Sequence, residues 1–416
     1  MYHPLIVSQR LNRLADAIRR DLDPAFAWRD TSISEIEERC AALNAAFDPV
    51  KERLTRPLTP EEIAFMRHEV HRCKVDAPYF LTHYAMFKNK DMELQRFTFW
   101  DSQSIILDHI ARAELAALKG TSGDGIVLAI LKARQLGAST LTEGLISHRT
   151  FFYGYSTALV AAHIPEQTAY LFDMMERVYE NLPWWMRPAR TYHVKNSEMF
   201  FEGQDSLVFT GSGRSTVKGG DENRGAMGTG RTITIAHLSE LALWDNPWQI
   251  DDSLMPSIPE RPRTFVIFES TAKGRGNWWH KQWEDSVSGV KRTKPVFIPW
   301  YAEAASNTRP APEDWQPSQD AIDHARRAEE VSAEWCGRTY HLTRNQLFWW
   351  ECKRQEYLAN NTLNKFLAEF CAEPAEAFQH TTASVIDAWQ LHQMRQKLRE
   401  PVLIEVLAKT EMASKG

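Results

Sequence analysis

Apolar and polar positions along this chain fall into blocks whose period switches in a regular order. Residues 1–75 carry helical spacing. Ser32 with Glu35 makes a capping box, and Ile36, Cys40, Leu43 and Phe47 share one face until Pro49, which predicts a helix ending there. A second start signal, Thr59-Pro60-Glu61-Glu62, opens another helix that carries Ile63, Met66 and Val70. From Gly125 to Lys132 the pattern becomes a short apolar run with β-branched residues, as in a buried parallel strand. A glycine turn follows at Gly137, then a helix start. Ser156 to His163 reads as another strand and Pro165 to Leu182 as the next helix, while Arg231 to Glu240 and Thr264 to Phe268 are further β-branched runs. This alternation predicts an α/β fold with a mainly parallel central sheet flanked by helices. Val194 to Thr210 suggests strands and a turn, and Gly211 to Gly230 is a long, polar, glycine-rich loop of the kind that carries function. Ala302 to Gln319, with Pro310, Pro312 and Pro317, reads as a linker or surface excursion. Beyond it, Leu347, Trp350, Lys353 and Tyr357 mark an amphipathic helix from Thr343, with Trp349 and Trp350 supporting a helical subdomain, and Ser384 to Leu398 forms one more helix.

Composition narrows the class. With 416 residues and 43% hydrophobic content, the chain can bury a large core and hold more than one structural unit. Its longest apolar run, IVLAIL, is far too short to span a bilayer, and the N-terminus has no signal-peptide pattern, so no membrane association is expected. The five cysteines, Cys40, Cys73, Cys336, Cys352 and Cys371, contain no C-x-x-C pair, which points to reduced cytoplasmic thiols and no structural zinc. A net charge of −5 argues against constitutive tight binding to nucleic acid. Basic residues nevertheless cluster from Lys273 to Lys294, where Lys273, Arg275, Lys281, Lys291, Arg292 and Lys294 outnumber Glu284 and Asp285.

The candidate chemistry lies in GIVLAILKARQLGASTL, Gly125 to Leu141. A strand, a glycine turn, hydroxyls and a helix start place several backbone N–H groups around one anion, which is what a polyphosphate requires. Against the pattern G-x-x-x-x-G-K-[ST], Gly137 fills the second glycine and Ser139 the Mg2+-binding hydroxyl. Lys132 stands at the first glycine, and Ala138 at the usual lysine. Lys132 or Arg134 is then the cation available to the phosphates. Glu240 ends a strand, where a water-activating carboxylate belongs, and Glu269-Ser270-Thr271-Ala272-Lys273-Gly274 follows a third. His237 is expected to be a neutral, hydrogen-bonded core residue.

At this point the chain resembles the large terminase subunits of tailed bacteriophages, ATP-driven motors that package DNA. The matching pieces are KARQLGAST as a variant Walker A, HLSELALW as a Walker B, ESTAKG as a coupling motif, Gln103 in WDSQSIILDHI, and EFCAEPAEAF from Glu369 to Phe378. The resemblance runs from about Phe80 to Phe378. It implies a P-loop NTPase of the additional-strand type with a small helical N-terminal region and lid subdomain: residues 1–75 helical, 76–340 the ATPase core, 341–380 the lid, and 381–416 a helical tail or linker.

The resemblance further implies ATP and Mg2+ as cofactors and a nucleotide site made of Gln103, Lys132, Arg134, Gln135, Leu136, Gly137, Ala138, Ser139 and Thr140. Glu240 and Arg134 would act in catalysis, Ser139 would bind Mg2+ with Ser239 helping through a water, and Ser270, Thr271 and Ala272 would couple hydrolysis to movement. Gln103 would contact adenine; the aromatics His83, Tyr84, Phe87, Phe97, Phe99 and Trp100 beside it suit either one wall of that slot or core packing. Ser239 departs from the family's aspartate and removes one charge near the metal, for which Asp245 is a substitute if its loop turns back. Arg214, Arg224 and Arg231 are candidates for a DNA contact or for reaching a neighbouring subunit's γ-phosphate. Expected partners are double-stranded DNA, the portal protein, the small terminase subunit and further copies in a homo-oligomeric ring (a pentamer). The expected location is the host cytoplasm and, transiently, the procapsid portal vertex. Nuclease activity, which large terminases place in a following RNase H-type domain, is not expected from this chain. A helicase or DNA-repair ATPase and a non-catalytic nucleotide-binding protein remain open alternatives.

Overall fold

A computed structural model describes residues 32–120, 123–213 and 230–379. Ser32 caps α1 (Ile33–Ala45) by accepting the Glu35 amide at 3.2 Å. The helix buries Ile36 and Leu43 but stops short of Pro49. Phe47–Asp48 (β1) instead pairs antiparallel with Arg53–Leu54 (β2), and the Asp48 carboxylate accepts the Val50 and Lys51 amides. Side-chain bonding to the turn around Pro49 therefore displaces the last expected helical turn, and Phe47 stacks on Trp184 with ring centres 4.5 Å apart.

The next helix, α2 (Pro60–Val75), starts as the sequence predicts, with Thr59 and Glu62 in a capping box and Pro60 in the first turn. Met66 and Val70 pack against the core, and Phe65, Glu69, Arg72 and Cys73 are buried more fully still. A polar face can turn inward because the hydroxyls of Tyr79, on α3 (Ala77–His83), and Tyr84 each donate to Glu69 at 2.7 Å, and Arg72 lies 3.7 Å from the Tyr79 ring centre. Most of the aromatic stretch beside Gln103 belongs to this core. His83 stacks on Tyr79, and Phe87, Phe97 and Phe99 pack edge to face around the hairpin of β3 (Met86–Lys88) and β4 (Leu94–Arg96). Of that group only Trp100, at the start of α4 (Asp101–Leu118), reaches the phosphate-binding turn.

The central sheet is built from β5 (Ile126–Lys132), β6 (Thr157–Ala162), β7 (Tyr192–Val194), β8 (Glu198–Phe201), β9 (Ser206–Ser212), β10 (Ile235–Ser239), β11 (Phe265–Ser270) and β12 (Lys294–Ile298). Their order is β12-β5-β11-β10-β6-β9-β8-β7. Pairing is parallel from β12 to β9 and antiparallel through β8 and β7. Every residue of β5, β10 and β11 is buried, which is why these strands read as continuous apolar runs instead of alternating ones. Helices α5 (Ala138–Phe152), α6 (Pro165–Asn181) and α7 (Trp278–Val287) follow β5, β6 and β11. Two boundaries differ from expectation. β9 carries on through Gly211 and Ser212, and β11 includes Glu269 and Ser270, which the sequence pattern assigns to the loop beyond it.

After β12, residues 303–318 form no helix or strand. Four helices follow: α8 (Gln319–Trp335), α9 (Arg344–Ala359), α10 (Leu363–Glu369) and α11 (Pro374–Ala377). Trp349 packs against Trp300 and Phe370, and Trp350 stacks on His324 at 4.2 Å, so both tryptophans brace the fold. The Glu369–Phe378 segment lies against the end of β5, where the Arg134 amide donates to the Glu369 carbonyl at 3.0 Å. Arg214, Arg224 and the helix expected at Ser384–Leu398 lie outside the described residues. Among those described, no helix is long and apolar enough to cross a membrane.

Candidate nucleotide site

The turn between β5 and α5 is held open by two residues in the left-handed region, Gln135 at φ 59° and Gly137 at φ 72°. Glycine is required at 137 on two grounds: its φ, and a Cβ there would come within 2.7 Å of Gln103 Nε2. α4 clamps the turn from behind, since Ser102 Oγ donates to the Leu136 carbonyl at 2.8 Å and Gln103 Nε2 to the Gly137 carbonyl at 2.9 Å. The Gln103 carbonyl oxygen accepts the Trp100 amide. The buried amide of Gln103 thus ties the start of α4 to the phosphate-binding turn, with one N–H and one acceptor position engaged. The bonds from Ser102 and Gln103 engage the carbonyls of the turn and not the amides of Gln135 through Thr140. None donates to a backbone carbonyl among the described residues, and no side chain caps α5. Uncapped first-turn amides at the mouth of a parallel sheet form an anion cradle. Leu136 and Ala138 anchor it by being buried.

The two candidate cations sit differently. Lys132, the last residue of β5, is buried, and its Nζ lies 3.5 Å from Glu240 Oε1. Burial alone would depress its pKa, but Glu269 and Glu240 outweigh that and raise it, so Lys132 stays charged. Arg134 projects outward and pairs with Glu369 at 3.6 Å. Glu240 follows β10 with φ 55°, an uncommon conformation for a side chain of its size that costs about 1–2 kcal/mol. The cost buys direction: its carboxylate faces Lys132 on one side and Thr271, whose Oγ1 lies 3.5 Å from Oε2, on the other. Ser270 Oγ accepts the Ala242 amide at 3.0 Å, so the segment expected to couple hydrolysis to movement grips the chain just after Glu240. Ala272 is buried beside them.

Glu269 is the residue that sequence reasoning passed over. It stands directly across from Ser239 in the β10–β11 register, and its Oε1 accepts Ser239 Oγ at 3.0 Å and Ser139 Oγ at 2.5 Å. Asp245, the substitute suggested by sequence, is exposed and does not take this place. Behind Glu269, His237 Nε2 lies 3.1 Å from the same oxygen as an ion pair, and His237 Nδ1 lies 2.6 Å from Glu143 Oε1 on α5. His237 is buried as expected but is not neutral: burial would lower its pKa, yet Glu143 and Glu269 raise it to about 9. Burial likewise pushes Glu269 up, and Lys132, His237 and Ser139 bring it down to about 2. Ser139 and Glu143 lie one turn apart on α5, so this helix holds both ends of the chain of contacts.

These parts define a class. β11 lies between the phosphate-turn strand β5 and the Glu240 strand β10, which is the additional-strand arrangement of an α/β P-loop NTPase. No protein-family model and no curated protein matches the chain. Among solved structures it is similar to the large terminase of bacteriophage HK97, with 13% identity over 73% of this chain and 55% of that one and a TM-score of 0.47. It is also similar to the ATPase domain of a Thermus phage large terminase, with 16% identity, 63% and 92% coverage and a TM-score of 0.34. A third is the large terminase of a thermophilic bacteriophage in complex with ATP-gamma-S, with 11% identity, 56% and 49% coverage and a TM-score of 0.35. The chain spans about half the length of the HK97 and thermophilic-phage proteins. At identities this low, the chemistry is set by this chain's own side chains.

Proposed function

We propose that this chain is the ATPase engine of a phage large terminase, hydrolysing ATP with Mg2+ to drive double-stranded DNA into a procapsid. The observation that carries the reading is the meeting of Lys132 Nζ and Glu240 Oε1, 3.5 Å apart, beside the uncapped amides that follow Leu136. In this scheme the amides of Gln135 to Thr140 hold the phosphate oxygens and Lys132 neutralises their charge. Ser139 would hold Mg2+ with Ser239 assisting through a water; the metal, when bound, would offset charge on the β- and γ-phosphates. Glu240 orients a water and accepts its proton as the water oxygen bonds to the γ-phosphorus, and the bond from that phosphorus to the β–γ bridging oxygen breaks to leave ADP and phosphate. Ser270 and Thr271 touch Glu240 and its following segment, a short route from the reacting end to the rest of the sheet.

DNA would meet the basic run. Of that run, Lys281, Lys291 and Arg292 are already paired with Asp285, Asp251 and Glu260, whereas Lys273, Arg275 and Lys294 are exposed. Arg231 is engaged within its own chain by Glu198 and the Phe209 ring, so a finger reaching a neighbouring subunit would come from another arginine. A homo-oligomeric ring on the portal, with a small terminase subunit as partner, completes the proposal.

The test is phosphate release with and without double-stranded DNA, for the wild-type chain and Glu240→Gln. The variant should bind nucleotide yet lose turnover. Equal turnover would remove Glu240 from its role, and a wild-type chain without turnover in the presence of DNA and partner proteins would overturn the engine reading. Unwinding of a forked duplex by the chain alone would favour a helicase.

A further inference from the structure

We infer that Glu269 is the acidic side chain that positions the nucleotide-associated divalent cation, supplying from β11 the charge that Ser239 lacks on β10. The inference rests on the ATPase reading and gives a metal-positioning role to Glu269, which opens the ESTAKG motif but carries no role in it. Neighbouring strands lie about 4.8 Å apart, so an acid on β11 must reach sideways to serve a site at the end of β10. Glutamate has the length for it. Glu269 is the in-register partner of Ser239, and its Oε1 accepts from both Ser239 Oγ and the cradle hydroxyl of Ser139. Two hydroxyls, one from each side of the crevice, converge on one carboxylate oxygen.

The second oxygen shows what the site leaves open. Glu269 is fully buried, yet its Oε2 has no hydrogen-bond partner. An unmet buried acceptor costs about 1–3 kcal/mol, and Glu143, the other acid on His237, also leaves its Oε2 unmet; Glu269 differs in reaching the cradle hydroxyl of Ser139 and the strand-end hydroxyl of Ser239. Here the contacts with His237, Ser139 and Ser239 all fall on Oε1 and fix the carboxylate in place. Oε2 is left as the acceptor for a cation or for water bound to one, the arrangement in which Mg2+ takes one or two protein carboxylates and fills its remaining positions with phosphate and water. Glu143 and His237 make the backing, and they tie it to the helix that carries Ser139.

The experiment measures ADP binding to the full chain by calorimetry, in excess Mg2+ and in EDTA, alongside retention of Mn2+ in the ADP complex by electron paramagnetic resonance. In wild type, Mg2+ should tighten ADP binding. Glu269→Gln should keep the affinity seen in EDTA and lose roughly tenfold or more of the Mg2+-dependent gain, with less Mn2+ retained. Adding Ser239→Asp to that variant should restore the gain by returning a carboxylate to the neighbouring strand. A folded Glu269→Gln with the wild-type gain overturns the inference while leaving the ATPase reading intact. Should Glu269→Gln fail to fold, Glu269→Asp decides: it keeps the charge near His237 but shortens the reach, so a reduced gain supports the inference and an undiminished gain overturns it. Absence of ADP binding by wild type in both buffers would sink the ATPase reading and this inference with it.

Discussion

Glu69 and Glu269 are both sealed from solvent, and they differ in what their oxygens do. Glu69 engages both, with His68 Nδ1 3.1 Å from Oε1 and the Tyr79 and Tyr84 hydroxyls donating to Oε2. Glu269 collects its contacts on Oε1 and leaves Oε2 bare. The backbones differ in the same sense. Glu69 sits inside the regular helix α2, whereas the crevice around Glu269 contains Gln135, Gly137 and Glu240 at positive φ. Burial of an acid therefore does not identify a site. Incomplete bonding marks one only where the same acid also reaches the cradle hydroxyl, as Glu269 does through Ser139.

The largest effect that this contrast predicts falls on Glu240. Glu240→Gln should slow phosphate release by about 10²–10⁴-fold, the range of a general base, with little change in ADP affinity. Lys132→Ala comes next, at about 10²-fold or more in turnover, because it removes a buried cation 3.5 Å from Glu240. Glu69→Ala belongs to the other column. It should lower unfolding free energy by about 2–4 kcal/mol in a denaturant titration, since it strands two tyrosine hydroxyls, and should leave ADP affinity unchanged. A Glu69→Ala chain that stays folded but loses nucleotide binding would erase the distinction between the two acids.

A third acid sharpens the comparison through pH. Glu376, in the segment that lies against the end of β5, accepts the Ala372 amide at 2.7 Å, and burial of its carboxyl, only partly opposed by that bond, raises its pKa to about 7. The folded chain therefore holds a proton that the unfolded chain has already released above the ordinary carboxylate range. Its contribution to stability is complete below about pH 4.5 and is lost as pH rises through 7. Because the residue is not completely covered, about 2 kcal/mol is the expected size, under the roughly 3 kcal/mol that full burial would give. Glu376→Gln should remove this share of the pH dependence in denaturant titrations between pH 5 and 8, leaving that of other groups such as His237. An unchanged slope would place the titration elsewhere.

Much of this was legible in the residues. The apolar runs gave β5, β6, β10 and β11, Pro165 and Thr59 gave helix starts, and Gly137 marked the phosphate turn, because these signals are local. What the sequence could not show is which residues face each other across strands. Ser239 looked like a missing charge, and Glu269 looked like the first residue of a loop, since only the β10–β11 register makes them neighbours. The burial of Glu69 and Arg72 on α2 is hidden for a related reason: partners on α3 and beyond cover them, which helical periodicity cannot reveal. For the aromatic stretch only the packing decides, because an aromatic run suits a core as well as a base slot.

The smallest expected effect is also the one that most directly separates the two cations of the phosphate turn. Arg134 is about half exposed and pairs with Glu369 at 3.6 Å, so losing that pair should cost no more than about 1 kcal/mol. The link that ties the turn to the closing segment is the Arg134 amide bonded to the Glu369 carbonyl, and a side-chain deletion leaves it in place. Arg134→Ala should therefore lower turnover only a few-fold and leave ADP affinity nearly unaltered, in contrast to Lys132→Ala assayed side by side. If the two variants fall by the same factor, the guanidinium swings inward when nucleotide binds, and phosphate neutralisation is shared between strand end and turn instead of resting on Lys132.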